Sequence, residues 1–240
     1  MVDLNAAVFN VAHLFDINQG VLDDPRTRFH VMDGRAWLRR TPRKYDVVTL
    51  EPMPPNFSGV NALYSREFYQ LVAERMKPGG VAAQWLPFHL VNVDHATAIA
   101  ATFNAVFPDS ILWLDPASGT GILLGRTEIV DAPLGRNWPG LDRDIHRPLT
   151  QSEVRRAVRL YEDNFVAYAN TGRIITDDNL LLSFSQIRNG TRGKWAAKVA
   201  PANHFLLEKF SDRPAFLMSP EERTRRAKAE LEHIRRPRIR

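Results

Sequence analysis

None of the 240 residues is cysteine, so disulfides, thiolate metal sites and cysteine nucleophiles are all excluded. The absence fits a reducing, cytoplasmic setting. No apolar run approaches the roughly 18 to 20 residues needed to cross a bilayer, and the start MVDLNAAVFN has neither a basic nor an apolar leader region. A soluble, cytoplasmic chain is therefore expected, with any membrane region lying upstream of it. Glycine is sparse, 13 residues, and no G-x-G-x-x-G or G-x-G-x-G occurs, so the usual glycine cradle for a cofactor is missing. Excess positive charge is also scarce outside one place. The net charge is +5 and the pI about 9.7, but residues 221–240 hold seven Arg and one Lys against four Glu, which is +4 of that total. High pI is thus a property of a solvated tail, with nonspecific attraction to anionic surfaces and no specific nucleic-acid partner.

What remains is ordinary globular composition, 44% hydrophobic and 25% charged. Residues 28–33 (RFHVMD), 45–51 (YDVVTLE) and 80–86 (GVAAQWL) are short apolar runs that predict strands. Between them, Phe68, Leu71, Val72 and Met76 recur at helical steps after Ser65, a capping residue, and Lys77-Pro78-Gly79-Gly80 should end that helix. A second helix is expected from about Asp94 to Phe107. Strands at 110–115 and 121–126, separated by Pro116-Ala117-Ser118-Gly119, read as an antiparallel hairpin. The alternation predicts an α/β fold, mostly parallel, with the hairpin supplying the antiparallel part. Residues 131–149 carry three prolines without a period and read as a linker. From Thr150 or Ser152 the spacing Val154, Val158, Tyr161, Phe165 predicts a helix, and 175–184 (ITDDNLLLSF) a polar turn entering an apolar segment. The domains implied are 1–130, the linker 131–149, a helical or mixed extension 150–218, and a basic helical tail 219–240.

Three acids stand at strand ends. Asp3 follows an apolar start, Asp33-Gly34 closes RFHVMD, and Glu51 closes YDVVTLE before the proline-stiffened PMPPNFSGVNALY. At the carboxyl end of a parallel strand an acid can accept ribose hydroxyls, accept from a base amine where glycine allows close approach, or take a proton from an amine. Each also has a plain reading as a helix cap, a turn or a solvated acid. Their common position at successive strand ends points to one crevice. His89, Asp94 and His95 match no standard metal spacing, so no metal is expected. Trp37, Trp85 and Trp113 read as packing groups, and Asp177-Asp178 as a cap or turn.

The order VDLNAAV, DDPRTRFHVMDGRAWL, YDVVTLEP, LYSREFYQLVAERMKPGG, QWLPF and ITDDNLLL resembles the spermidine synthase family of polyamine aminopropyltransferases, most of all its bacterial branch fused to membrane-spanning segments. The resemblance covers residues 1–126 closely and 170–184 loosely. It implies a Rossmann-like, methyltransferase-type sheet with strand order 3-2-1-4-5-7-6. It also implies aminopropyl transfer from decarboxylated S-adenosylmethionine, a co-substrate rather than a tightly bound cofactor, to a polyamine such as putrescine. By position, Asp3 corresponds to the ribose-binding acid, Asp33 and Gly34 to the adenine-binding pair, and Glu51 to the acid that deprotonates the attacking amine. Tyr64 and Gln84 lie in segments lining the polyamine side.

Two departures bear on this. The family's paired acids at the catalytic strand are replaced by Glu51-Pro52-Met53-Pro54; losing one charge-assisted bond to a diamine costs about 1 to 3 kcal/mol. The first strand and its glycine-rich loop are also absent, so the expectation is a truncated or misassigned start, an upstream half encoded separately, or re-paired strands; a second copy or an upstream chain would complete the sheet, and the isolated chain is expected to turn over little or not at all. The alternatives are a methyltransferase-fold enzyme with another substrate and a degenerate binding domain.

Overall fold

The computed structural model describes residues 1–55, 57, 59–114, 120–128, 157–183 and 192–211. The expected linker 131–149, the turn 116–119, the helix start at Thr150 or Ser152 with Val154, and the tail 219–240 lie outside them.

Strands β1 (Val2–Asp3) and β2 (His30–Val31) form a parallel pair. Between them run α1 (Ala6–Val11), capped by the Asn5 side chain on Ala7 N, and two short 3-10 turns. Helix α2 (Gly34–Arg40) leads to β3 (Tyr45–Leu50), then a 3-10 turn (Val60–Leu63), α3 (Arg66–Glu74), β4 (Met76–Leu86) and α4 (Val93–Asn104). Strands β5 (Asp109–Leu114) and β6 (Gly121–Arg126) follow, then β7 (Val158–Tyr161), α5 (Glu162–Ala169) and α6 (Arg192–Phe210).

The second sheet has the order β3-β4-β6-β5-β7. The pair β1-β2 and the run β3-β4-β6-β5 follow the neighbour relations 3-2 and 4-5-7-6 of the expected order, in two separate sheets. The α/β class therefore holds, but the sheet is mixed rather than mostly parallel: β1-β2 and β3-β4 are parallel, whereas β4-β6, β5-β6 and β5-β7 are antiparallel. The cause is the hairpin, which inserts β6 between β4 and β5 and leaves an edge for β7.

The expected helix over Val158, Tyr161 and Phe165 is also corrected. Val158 and Leu160 face inward with period two and pair with β5, and the helix begins only at Glu162. Glu162 itself has φ 48°, which switches strand to helix without a loop. Lys77-Pro78-Gly79-Gly80 lies inside β4 rather than in a turn, where a register shift opposite Tyr45 and Val47 absorbs it.

Helix α4 organises the core. Residues His95 to Phe103 are buried without interruption, the pattern of a helix enclosed on all faces. Small side chains (Ala96, Ala98, Ala100, Ala101) permit close packing, while Phe103 and Phe107 meet the Tyr69 ring edge to face. Full burial of one such aromatic is worth about 1.5 to 3 kcal/mol. The two buried threonines bond to their own helix: Thr97 Oγ1 donates to Val93 O at 2.9 Å and Thr102 Oγ1 to Ala98 O at 2.7 Å. Among the described residues no helix is long and apolar enough to cross a membrane.

Candidate active site

Asp3 ends β1 and pairs with Val31 of β2, two residues before Asp33, and Met32 N donates to Asp3 O at 2.9 Å. Each carboxylate spends Oδ1 on its own backbone: Asn5 N donates to Asp3 at 2.7 Å, and Ala36 N to Asp33 at 2.7 Å. Asp33 is therefore the cap of α2 and Asp3 closes a local turn, and neither bond uses Oδ2. At Gly34, the first residue of α2, a Cβ would meet nothing within 4 Å. The space beside it is open on the side where Asp33 is exposed.

Glu51 is exposed at the carboxyl end of β3, directly after Leu50, which pairs with Gln84 on β4. Gln84 is fully buried and its amide is occupied. Its Oε1 accepts from Tyr69 Oη at 3.2 Å, and its Nε2 donates to Trp85 O at 2.9 Å and to Leu50 O at 3.4 Å. The side chain thus holds the strand end that carries Glu51. Tyr64 is fully buried too, its hydroxyl donating to Met53 O at 3.5 Å in the loop after Glu51. Burial pushes the Tyr64 phenol well above its ordinary range, so it remains a neutral hydroxyl.

Asp177 is placed by contacts that sequence spacing did not reveal. Arg35 meets it with both outer nitrogens, at 2.8 and 2.5 Å, and Ser65 Oγ donates to it at 2.6 Å. The bond from Arg35 holds the Asp177 carboxyl below the ordinary carboxylate range, against the opposing cost of burial. Ser65 was legible as a cap, and it is one, accepting from Phe68 N at 3.3 Å; its second bond had no local signal. Asp178 is exposed. His95 is buried and His89 exposed, and the described residues contain no cluster of three or more metal-ligating side chains. Trp37 packs on His30 with ring centroids 4.0 Å apart and donates to Tyr45 Oη at 3.1 Å.

Acids at the carboxyl ends of adjacent parallel strands, with open space beside Gly34, stand where such sheets can take a ligand. Residues 1–112 match the spermine/spermidine synthase domain. Within the matched residues fall Asp3, Asp33, Gly34, Glu51, Tyr64 and Gln84. The chain is 44% identical over 112 residues to polyamine aminopropyltransferase 2 of Pseudomonas aeruginosa, covering 45% of this chain and 32% of that protein. A polyamine aminopropyltransferase of Oceanobacillus iheyensis is 30% identical over 143 residues, 58% of this chain and 25% of its own length. The chain thus spans about a third or less of these two relatives. A crystal structure of spermidine synthase with the transition-state analogue AdoDATO superposes with a TM-score of 0.57 at 18% identity, covering 70% of this chain and 59% of that one. The spermidine synthase of Thermotoga maritima gives 0.53 at 19%, covering 71% and 59%. These two structures establish the synthase fold.

Proposed function

We propose that the domain transfers an aminopropyl group from decarboxylated S-adenosylmethionine to a polyamine such as putrescine. The observation that carries this reading is the set of three acids at carboxyl ends of parallel strands inside the matched synthase domain. Asp3 Oδ2 accepts from the ribose, Asp33 Oδ2 accepts from the adenine amine, and the open side of Gly34 admits the base. Glu51 attracts the ammonium of the acceptor and takes its proton. The neutral amine nitrogen then attacks the methylene on the sulfonium; the C–N bond forms, the C–S bond breaks, and 5′-methylthioadenosine leaves with the electron pair. Tyr64 and Gln84 act on the acceptor through Met53 and Leu50, whose carbonyls they hold. The nucleoside is a co-substrate that enters and leaves, the setting is cytoplasmic, and a second copy or an upstream chain completes the sheet between β1 and β3.

Titration with putrescine in the presence of 5′-methylthioadenosine tests the acceptor half. Glu51→Gln should weaken diamine binding roughly tenfold or more, the value of a lost charge-assisted bond. Equal affinity in the variant removes Glu51 from the site. One observation favours a second reading, a nucleoside-binding domain without transfer: Pro54 stands where the family's second acid would be. Nucleoside binding with no diamine binding would select it.

A further inference from the structure

The segment 173–183 lies far from the strand-end acids in sequence, yet its bonds reach the residue that follows Asp33-Gly34 and the segment 61–67. Asp177 receives a bidentate bond from Arg35, and Arg35 directly follows Asp33-Gly34 in the first turn of α2. The same Arg35 Nη1 donates to Ala62 O at 2.9 Å, in the 3-10 turn that leads to Tyr64. Around this centre, Asn61 Nδ2 donates to Thr176 O at 3.0 Å, Leu182 N to Asn61 Oδ1 at 3.0 Å, Arg66 N to Ile175 O at 2.9 Å, and Asp177 N to Glu67 Oε2 at 3.0 Å. Thr176 and Asn179 brace the segment internally by a reciprocal pair of bonds at 3.2 and 3.1 Å. The Arg35 head is 12% exposed and its Nε is buried without a partner among the described residues. All of its bonding therefore runs to Asp177 and Ala62.

We propose that Arg35 and Asp177 form a strut that sets the nucleoside turn at Asp33-Gly34 relative to the acceptor segment 60–65, which makes both of them positioning residues. The functional half of this inference rests on the aminopropyl-transfer reading; the mechanical half does not. A planar guanidinium gripping one carboxylate at two points fixes orientation as well as distance. Its other contact, on Ala62 O, carries that orientation to the turn below Tyr64. Asp178 has the opposite character, exposed and outside this network, so the adjacent acids divide into a strut and a solvated neighbour.

Amide hydrogen exchange on the full chain, compared among wild type, Asp177→Asn and Asp178→Asn, tests the strut directly. Asp177→Asn should speed exchange roughly tenfold or more at 33–38 and 60–66 as well as at 173–183, and Asp178→Asn should match wild type. Acceleration confined to 173–183 overturns the proposal. Calorimetric titration with 5′-methylthioadenosine tests the positioning role. Affinity should fall about tenfold in Asp177→Asn and in Arg35→Ala, with part of it recovered in Arg35→Lys, which keeps one donor of the fork. Unchanged affinity in a folded Asp177→Asn overturns the role. Should wild type itself bind no nucleoside, the aminopropyl reading falls while the exchange pattern still decides the strut.

Discussion

Individual side chains in this domain differ sharply in what their removal should do. Gly34 has open space where a Cβ would stand and sits at the first helical position. Gly34→Ala should therefore leave thermal stability unchanged or raise it by up to about 1 kcal/mol. In the proposed site the same methyl group occupies the space of the base, so nucleoside affinity measured by calorimetry should drop. Loss of stability with retained affinity would reverse that assignment. Tyr168 presents the opposite case. Its ring is fully buried and its hydroxyl has no partner among the described residues, and burial pushes its ionisation well above the ordinary value. Removing an unsatisfied buried hydroxyl relieves a desolvation cost, so Tyr168→Phe should be neutral or stabilising by about 1 kcal/mol in urea unfolding.

At the scale of elements, α4 is the piece on which others depend. The turn after α5 comes so close to it that a Cβ on Gly172 would stand 2.1 Å from Thr97 O and 2.6 Å from Ala98 N. Backbone cannot yield there as a side-chain tip can. Gly172→Ala should cost about 3 kcal/mol, the upper range for overpacking, or prevent folding, as read by circular dichroism and thermal melting. His95 adds a pH dependence to the same helix. Burial, with the Arg173 charge, holds its imidazole below the ordinary value of 6.5, and Asp94 opposes this. The unfolded chain thus binds a proton more readily than the folded one. The stability contributed by neutral His95 is complete above pH 6.5 and declines as the pH falls below it. Urea midpoints measured downward from pH 7 should show this decline, and His95→Gln should flatten it.

The same scale shows which parts of the fold were legible in the sequence. The strand at 45–50, the Ser65 cap, the helix begun near Asp94 and the 109–126 hairpin all followed from local periodicity and turn chemistry. The VRLY segment did not, because Val158, Tyr161 and Phe165 satisfy a helical spacing as well as a strand's alternation. Only the free edge of β5 decides between them. The strand-end acids were legible for a similar local reason, since each closes an apolar run. Asp33 is also the cap of α2, which the strand-end position alone does not reveal. Arg35 carried no signal, since its partner Asp177 lies 142 residues away. Gln84 could be located from its segment, but not its inward use on Tyr69 and Leu50, which depends on the pairing of β3 with β4.

For the whole molecule, the described strands form two sheets that share one expected order but are not joined. Apolar side chains around the break are exposed: Val47 of β3 by 58%, Val31 of β2 by 52%, and Leu4 beyond β1 by 73%. Such exposure is costly in water. Because the isolated chain is expected to turn over little or not at all, the reaction should be sought under single-turnover conditions. The most direct measurement incubates the chain, in excess, with decarboxylated S-adenosylmethionine and putrescine and follows the products by mass spectrometry. Spermidine and 5′-methylthioadenosine should form in equal amounts, with both lost in Glu51→Gln. Methylated amine with the matching demethylated nucleoside, or nucleoside that binds and stays intact while putrescine is bound, would contradict this.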